Sequence, residues 1–251
     1  MFGRNSESPI PILAAATPGD CFDTMLEAVR IAVKYMTPVF FMSDGYLANG
    51  AEPWKIPQVS GLPKIDVSFR KDKNGFFPFV RDEKTLARPW AIPGTPGLEH
   101  VIGGLEAEQV TGKVSYDPVN HDAMVKARAQ KIAQIANDVP DLVVHSGVEK
   151  GDLLILGWGS TLGAISSAIE KLLEKGYKVA NIHLRHLNPF PKNLEDMLKN
   201  YKKVLIPEVN LGQLKLLIRA KYLVNAQGLN IVNGQPLKVS SIVEMAEKLL
   251  K

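Results

Sequence analysis

The sequence predicts an α/β protein built on parallel sheet, and three observations carry that prediction. From Gly151 onward, short apolar runs alternate with amphipathic stretches of helical spacing. A single strand–helix–strand unit, from Ile10 to Met42, precedes them. Strands joined by crossover helices imply a parallel sheet covered on both faces. Between the two regions lies a long proline- and aromatic-rich stretch with neither periodicity.

Taken in order, Ile10 to Ala16 is an apolar strand ended by the Thr17-Pro18-Gly19 turn. Asp20 can cap a helix running to about Met36, with Phe22, Met25, Leu26, Val29, Val33 and Met36 on one face. Thr37-Pro38 stops that helix, Val39 to Met42 reads as a short buried strand, and Ser43-Asp44-Gly45 as the turn after it. One β-α-β unit cannot cover both faces of a sheet, so this segment reads as the tail of a larger domain.

From Ala48 to Pro118 the chain carries Pro53, Pro57, Pro63, Pro78, Pro89, Pro93 and Pro96, interleaved with Trp54, Phe69, Phe76, Phe77, Phe79 and Trp90. Polar linkers lack such aromatic content, so the stretch is expected to lie ordered on a surface. Asp122 to Asp138 reads as an amphipathic helix (Val125, Ala129, Ile132, Ile135) ended by Pro140. Asp152 to Gly157 is then a strand. Ser160 can cap a helix through Lys175, with Gly176 at its end. Strands follow at 177–184, 203–207 and 230–232, and helices at 193–200, 211–226 and 240–251.

Composition limits the function classes. The 251 residues are 45% hydrophobic and 22% charged, which suits a packed core and excludes extended disorder. No run approaches the roughly 20 apolar residues of a bilayer span, and Met1 to Pro9 lacks a secretory signal's apolar core. The one cysteine, Cys21, excludes an internal disulfide framework, a multi-thiolate zinc site and an iron–sulfur cluster held by this chain alone. A reducing, cytoplasmic setting is expected. A net charge of +4 is too small and too scattered to argue for nucleic acid.

Three constellations bear on chemistry. Gly157-Trp158-Gly159-Ser160-Thr161-Leu162-Gly163 follows a strand and opens a helix, with Arg185 placed to meet a 2′-phosphate. Its glycine spacing departs from the dinucleotide fingerprint, which favours a tight strand-to-helix turn over NADP binding. Arg88 through His100 is a proline-fixed loop bearing Arg88, Thr95, Glu99 and His100. Arginine meets a carboxylate bidentately and a threonine hydroxyl can add a bond, so a binding loop and an interface loop both stay open. Ser43-Asp44-Gly45-Tyr46-Leu47 lies at a strand's C-terminal end, where ligands bind in open sheets, though Asp-Gly is also a common turn pair. The five histidines show no metal-binding spacing. Cys21, at a helix N-terminus that would lower its pKa, reads as a packed thiol.

The chain resembles the alpha subunit of the 2-oxoacid:ferredoxin oxidoreductases, most closely the 2-oxoglutarate branch. The resemblance rests on Ala15 through Phe22, Ser43 through Ala48, Arg88 through His100, Val114 through Pro118, and His186 through Pro191. It implies residues 1–50 as the end of a thiamine pyrimidine-type domain, 51–140 as a long ordered linker plus helix, and 141–251 as a transketolase C-terminal-like domain. It implies a complex that decarboxylates a 2-oxoacid on thiamine diphosphate, transfers the acyl group to coenzyme A and reduces ferredoxin through iron–sulfur clusters. A beta subunit supplies the diphosphate-side domain and a cluster, and neither cofactor is held by this chain alone. The front half of the pyrimidine domain is absent from these 251 residues, so a C-terminal portion or split-gene product, inactive alone, is expected. By the same resemblance Arg88 meets the 2-oxoacid carboxylate with Thr95 beside it, and Arg81 is the fallback. An NADP-binding reductase domain and a non-catalytic subunit-interface scaffold are the competing readings.

Overall fold

The computed structural model describes residues 6–251. In chain order its elements are β1 (Ile12–Ala14), α1 (Asp20–Tyr35), β2 (Phe40–Met42), α2 (Gly45–Asn49), α3 (Pro118–Gln134), β3 (Ser146–Gly147), β4 (Gly151–Trp158), α4 (Leu162–Glu174), β5 (Val179–Leu184), β6 (His186–Asn188), α5 (Leu194–Lys199), β7 (Tyr201–Glu208), α6 (Gln213–Tyr222), β8 (Gln227–Asn230) and α7 (Val239–Leu250). The architecture is α/β, with a three-stranded sheet ordered β2-β1-β6 and a five-stranded sheet ordered β3-β5-β4-β7-β8. The chain forms two compact units. The first holds Met25–Phe40 and Lys55–Asp138 with the described part of 1–12, and the second holds Leu13–Thr24, Phe41–Trp54 and Val139–Lys251.

In the second unit, β4 pairs in parallel with β5 and β7, and β7 with β8, while the short β3 closes the edge antiparallel to β5. β4 carries Leu153, Leu154, Ile155 and Leu156, all fully buried. Alternate residues of a strand point to opposite faces, so both faces of this sheet are covered. Leu153 and Ile155 pack with Ile165, Ile169 and Leu172 of α4 and Ile242 and Ala246 of α7. Gly176, at φ +84°, ends α4 in the left-handed region that a side chain would strain.

Glu208 ends β7 and is wholly buried. Its carboxylate accepts from the backbone N–H of Leu214 (2.9 Å) and Lys215 (3.1 Å), two free donors in the first turn of α6. It also accepts from the Trp158 indole at 3.3 Å and the Asn210 amide at 3.1 Å.

In the first unit the proline-rich stretch is ordered without regular structure. It holds one short 3-10 turn, Val59–Gly61, and two isolated bridges, Phe69 to Trp90 and Ala107 to Val114. Its aromatics supply the fixing contacts. The Trp90 indole donates to the Val33 carbonyl at 3.0 Å, and the Phe79 ring lies 2.7 Å from where a Cβ on Gly112 would sit. Asp138 gathers Arg30 and Lys34, each at 2.8 Å, which anchors the chain after α3 to α1.

Several local expectations are corrected. The buried stripe of α1 is Thr24, Ala28, Ile31 and Tyr35, whereas Met25 and Val29 face solvent. Asp20 is the first residue of α1 and not its cap, and its N–H donates to the Thr17 hydroxyl. β2 exposes Phe40 and Met42 where a buried strand was expected. Asp44 does not simply turn the chain but caps α2, accepting from Leu47 N–H at 3.0 Å. α3 starts at Pro118, four residues before the periodicity begins, because Asp117 caps it and proline suits the first helical position. Ala129, placed on its apolar face, is exposed. Ser160 does not cap α4; it lies in a 3-10 turn and donates to Asp44. β8 occupies 227–230 in place of 230–232.

Candidate functional site

The first unit holds a cleft of about 480 Å³ whose walls carry Arg70, Arg81 and Arg88 together with Phe76 and Trp90. Arg88 also lines a second cleft of about 640 Å³ with Met36, Ile92 and His100. Its guanidinium lies over the Phe79 ring, 4.6 Å from the centroid, and no described carboxylate pairs with it. Stacking occupies the face of the guanidinium and leaves its edge N–H groups for a ligand. Arg81 is held by the Leu86 carbonyl at 3.0 Å and by the Met124 sulfur, while its Nε is buried without a partner.

Met124 introduces α3. Arg128 and Lys131 follow it at helical positions i+4 and i+7, so all three share one face. Lys131 donates to the Met36 carbonyl at 3.1 Å, and Arg128 to Glu106 at 3.1 Å, a carboxylate that also meets His121. Burial first, then the neighbouring Arg81, Arg88 and Arg128, push the Lys131 ammonium down to about 8. Burial likewise lowers Arg81 and Arg88, and Arg81 is lowered further by Arg88 and Arg128. Four cations thus sit within electrostatic reach, and among the described residues Glu106 is the one carboxylate bonded to any of them. Such a cluster is stabilised by an added anion.

Arg88 and Arg81, both read from sequence, come together on one cleft. Thr95 lines neither cleft; its hydroxyl donates to the Ile92 carbonyl at 2.8 Å and closes its own turn. Sequence reading missed Arg70, Arg128 and Lys131. Arg128 and Lys131 share a helix face with Met124, but in the sequence that face reads as solvated and carries no signal of a site.

In the second unit the Gly157 turn is a packing device. A Cβ there would lie 2.5 Å from Ile165 and 2.9 Å from the His183 ring. Arg185, placed for a 2′-phosphate, pairs with Asp20. Cys21 differs from expectation. Burial and the carboxylates of Asp20, Asp44 and Glu52 raise its thiol pKa, outweighing the helix end. Burial holds His183 near 4. It is expected to stay neutral from pH 7 to 5, and an imidazolium nitrogen shift seen by NMR at pH 6 would contradict this. Among the described residues no cluster of His, Cys, Asp and Glu could hold a metal ion. No helix among them is long and apolar enough to cross a membrane.

Two family models match the chain. One, described as pyruvate flavodoxin/ferredoxin oxidoreductase, thiamine diphosphate-binding, covers residues 1–117. The other, pyruvate:ferredoxin oxidoreductase core domain II, covers residues 151–241. The 2-oxoglutarate oxidoreductase subunit KorA of Mycobacterium tuberculosis is 54% identical over 234 residues, 93% of this chain and 36% of that protein. The alpha subunit of 2-oxoacid:ferredoxin oxidoreductase 1 of Aeropyrum pernix is 30% identical over 85% of this chain and 34% of that protein. A solved structure of 2-oxoglutarate:ferredoxin oxidoreductase from Magnetococcus marinus, with 2-oxoglutarate, coenzyme A and succinyl-CoA bound, superposes with a TM-score of 0.92. It is 29% identical, and the match covers 100% of this chain and 44% of that one. The chain therefore spans between a third and a half of the length of these proteins.

Proposed function

We propose, from the premise that this chain is related to the alpha subunits of the 2-oxoacid:ferredoxin oxidoreductases, that it forms part of an enzyme oxidising 2-oxoglutarate. That enzyme decarboxylates the oxoacid, passes the acyl group to coenzyme A and delivers two electrons to ferredoxin. The beta subunit supplies the iron–sulfur cluster and works in the cytoplasm with this chain. Residues 1–50, 51–140 and 141–251 serve as the end of the thiamine domain, the ordered linker with its helix, and the transketolase C-terminal-like domain.

The observation that carries this reading is the superposition over the whole chain on a structure that binds 2-oxoglutarate and coenzyme A. In this reading the beta subunit holds the diphosphate end of thiamine diphosphate and its metal ion. This chain's own contribution is to bind and orient an acidic substrate. Arg88 presents the edge of a stacked guanidinium to the cleft, Arg81 lies on the same wall, and Thr95 fixes the turn of the Arg88 loop. Gly157 packs against Ile165 and His183, and Arg185 pairs with Asp20, so neither favours the NADP reading.

The test is reconstitution. The chain purified with its beta subunit is expected to reduce a viologen dye only when both 2-oxoglutarate and coenzyme A are present, and to be inactive alone. Arg88→Gln in that assembly is expected to raise KM for 2-oxoglutarate roughly 30-fold with little change in kcat, the loss of one charge-assisted bond pair. Absence of turnover in an intact assembly would overturn the reading.

A further inference from the structure

We propose that Glu52, Trp54 and Phe22 of the second unit form a cation-binding cage, and that its ligand is the guanidinium of an arginine side chain presented by a partner polypeptide. The inference goes beyond the proposed function and does not rest on it. The cage is a cavity of about 390 Å³ lined by Pro18, Gly19, Phe22, Ala51, Glu52 and Trp54. Two segments meet there, the turn into α1 and the stretch just after α2. The Phe22 and Trp54 rings lie 5.3 Å apart between centroids and are tilted by 57°, so they make two walls of a wedge. Packing alone would explain a buried tryptophan. Trp54 is instead 46% exposed, with much of its ring open beside a carboxylate.

Glu52 is fixed through one of its two oxygens. Oε1 accepts from the Thr17 hydroxyl at 2.8 Å and from the Gly19 backbone N–H. Only glycine allows this approach, since a Cβ at position 19 would press on the Glu52 carboxylate and lie 3.0 Å from the Trp54 ring. Among the described residues Oε2 has no donor, and no Lys, Arg or His lines the cavity. A carboxylate can accept on both oxygens, so half of this one is held ready. The surrounding charge has the same sign. Asp20 is paired with Arg185, but among the described residues Asp44 meets only neutral donors, the Leu47 N–H and the Ser160 hydroxyl. Cys21 registers that field: Asp20, Asp44 and Glu52 raise its thiol together with burial, and no cation offsets them. A negative site with two aromatic faces calls for a cation. A planar guanidinium stacks on a ring while its edge N–H groups reach a carboxylate, whereas an ammonium is a compact, strongly hydrated point charge. The cavity opens to solvent and would hold a free cation weakly. A side chain carried by a docked protein arrives at high effective concentration. Trp54 and the exposed Tyr46 of α2 are of the aromatic type that protein interfaces favour.

The experiment follows the Trp54 indole and Gly19 amide resonances of the full chain by NMR. The probes, added at one ionic strength, are N-acetylarginine amide, its neutral isostere N-acetylcitrulline amide, N-acetyllysine amide and spermidine. The arginine probe is expected to move both resonances to saturation in the millimolar range, the lysine probe to bind more weakly, and citrulline to move neither. Glu52→Gln keeps an amide oxygen for Thr17 and Gly19 but removes the charge. It is expected to weaken the arginine probe at least about tenfold, as is Trp54→Leu, both read at the Gly19 amide. Circular dichroism establishes that each variant is folded, and either folded variant decides. Citrulline binding as well as arginine would overturn the cage, as would arginine binding unchanged in a folded variant. A lysine probe that matches arginine would overturn the guanidinium assignment. Spermidine binding more tightly than the arginine probe would overturn the partner side chain in favour of a free polyamine.

Discussion

A Lys131→Met chain is expected to be more stable than the parent at pH 7, by about 2 kcal/mol. Burial and three arginines lower the Lys131 ammonium from 10.5 to about 8. Holding it charged in the folded state therefore costs about 3 kcal/mol, at about 1.4 kcal/mol per unit. Methionine removes that cost but forfeits the bond to the Met36 carbonyl, worth about 1 kcal/mol. The sign of the pH dependence is fixed. Between about pH 8 and 10.5 the unfolded chain holds a proton on Lys131 that the folded chain has released. Parental stability thus rises with pH across that window, and the advantage of methionine is full below pH 8 and fades towards pH 10.5. Urea denaturation of both chains at pH 7 and pH 9.5 checks it. A gain that does not shrink at the higher pH, or a loss at pH 7, would show that Lys131 is not held under charge stress.

The regular part of the fold was legible because its periods are strong. β4 is an apolar run bounded by Gly151 and Gly157, and α4 and α7 carry clean amphipathic stripes, so strand and helix were found within a few residues. The errors lie where tertiary contact overrides local pattern. The apolar residues of α1 form one broad arc, running from Tyr35 and Ala28 round to Val33 and Leu26, and spacing alone does not say which edge of that arc is buried. Thr24, a polar residue, is in the buried stripe because its hydroxyl donates to Asp20 at 3.2 Å. β3 and β6 have two and three residues, too short for any alternation to register. For the cleft, Arg88 stood out as the arginine of a proline-fixed loop, and Arg81 entered only as the fallback that the family resemblance implied. Arg128 and Lys131 look in sequence like the solvated face of a helix. Only the return of the 81–88 loop onto Met124 turns that face inward, and nothing local in α3 encodes that return.

The largest stability loss is expected at Glu208. Replacing it with alanine should destabilise the second unit by about 4 kcal/mol. Its wholly buried carboxylate serves two backbone donors at the start of α6, the Trp158 indole and the Asn210 amide. Alanine leaves these donors unpaired at about 1–3 kcal/mol each where no water reaches, and opens a cavity beside β7. The helix itself is exposed to the loss. α6 begins after Gly212, which sits at φ +93° and has no side chain with which to cap it. Asn210 accepts from the N–H groups of Gly212 and Gln213, so Glu208 and Asn210 divide the first-turn donors between them. Glu208→Gln keeps one acceptor but turns an N–H₂ towards backbone donors, and is expected to cost about half as much. The order parent, glutamine, alanine in urea midpoint is the measurement that decides. If glutamine is as damaging as alanine, the negative charge at the helix start carries the effect and hydrogen-bond count does not. If neither variant moves the midpoint, Glu208 is not what holds α6 to the end of β7.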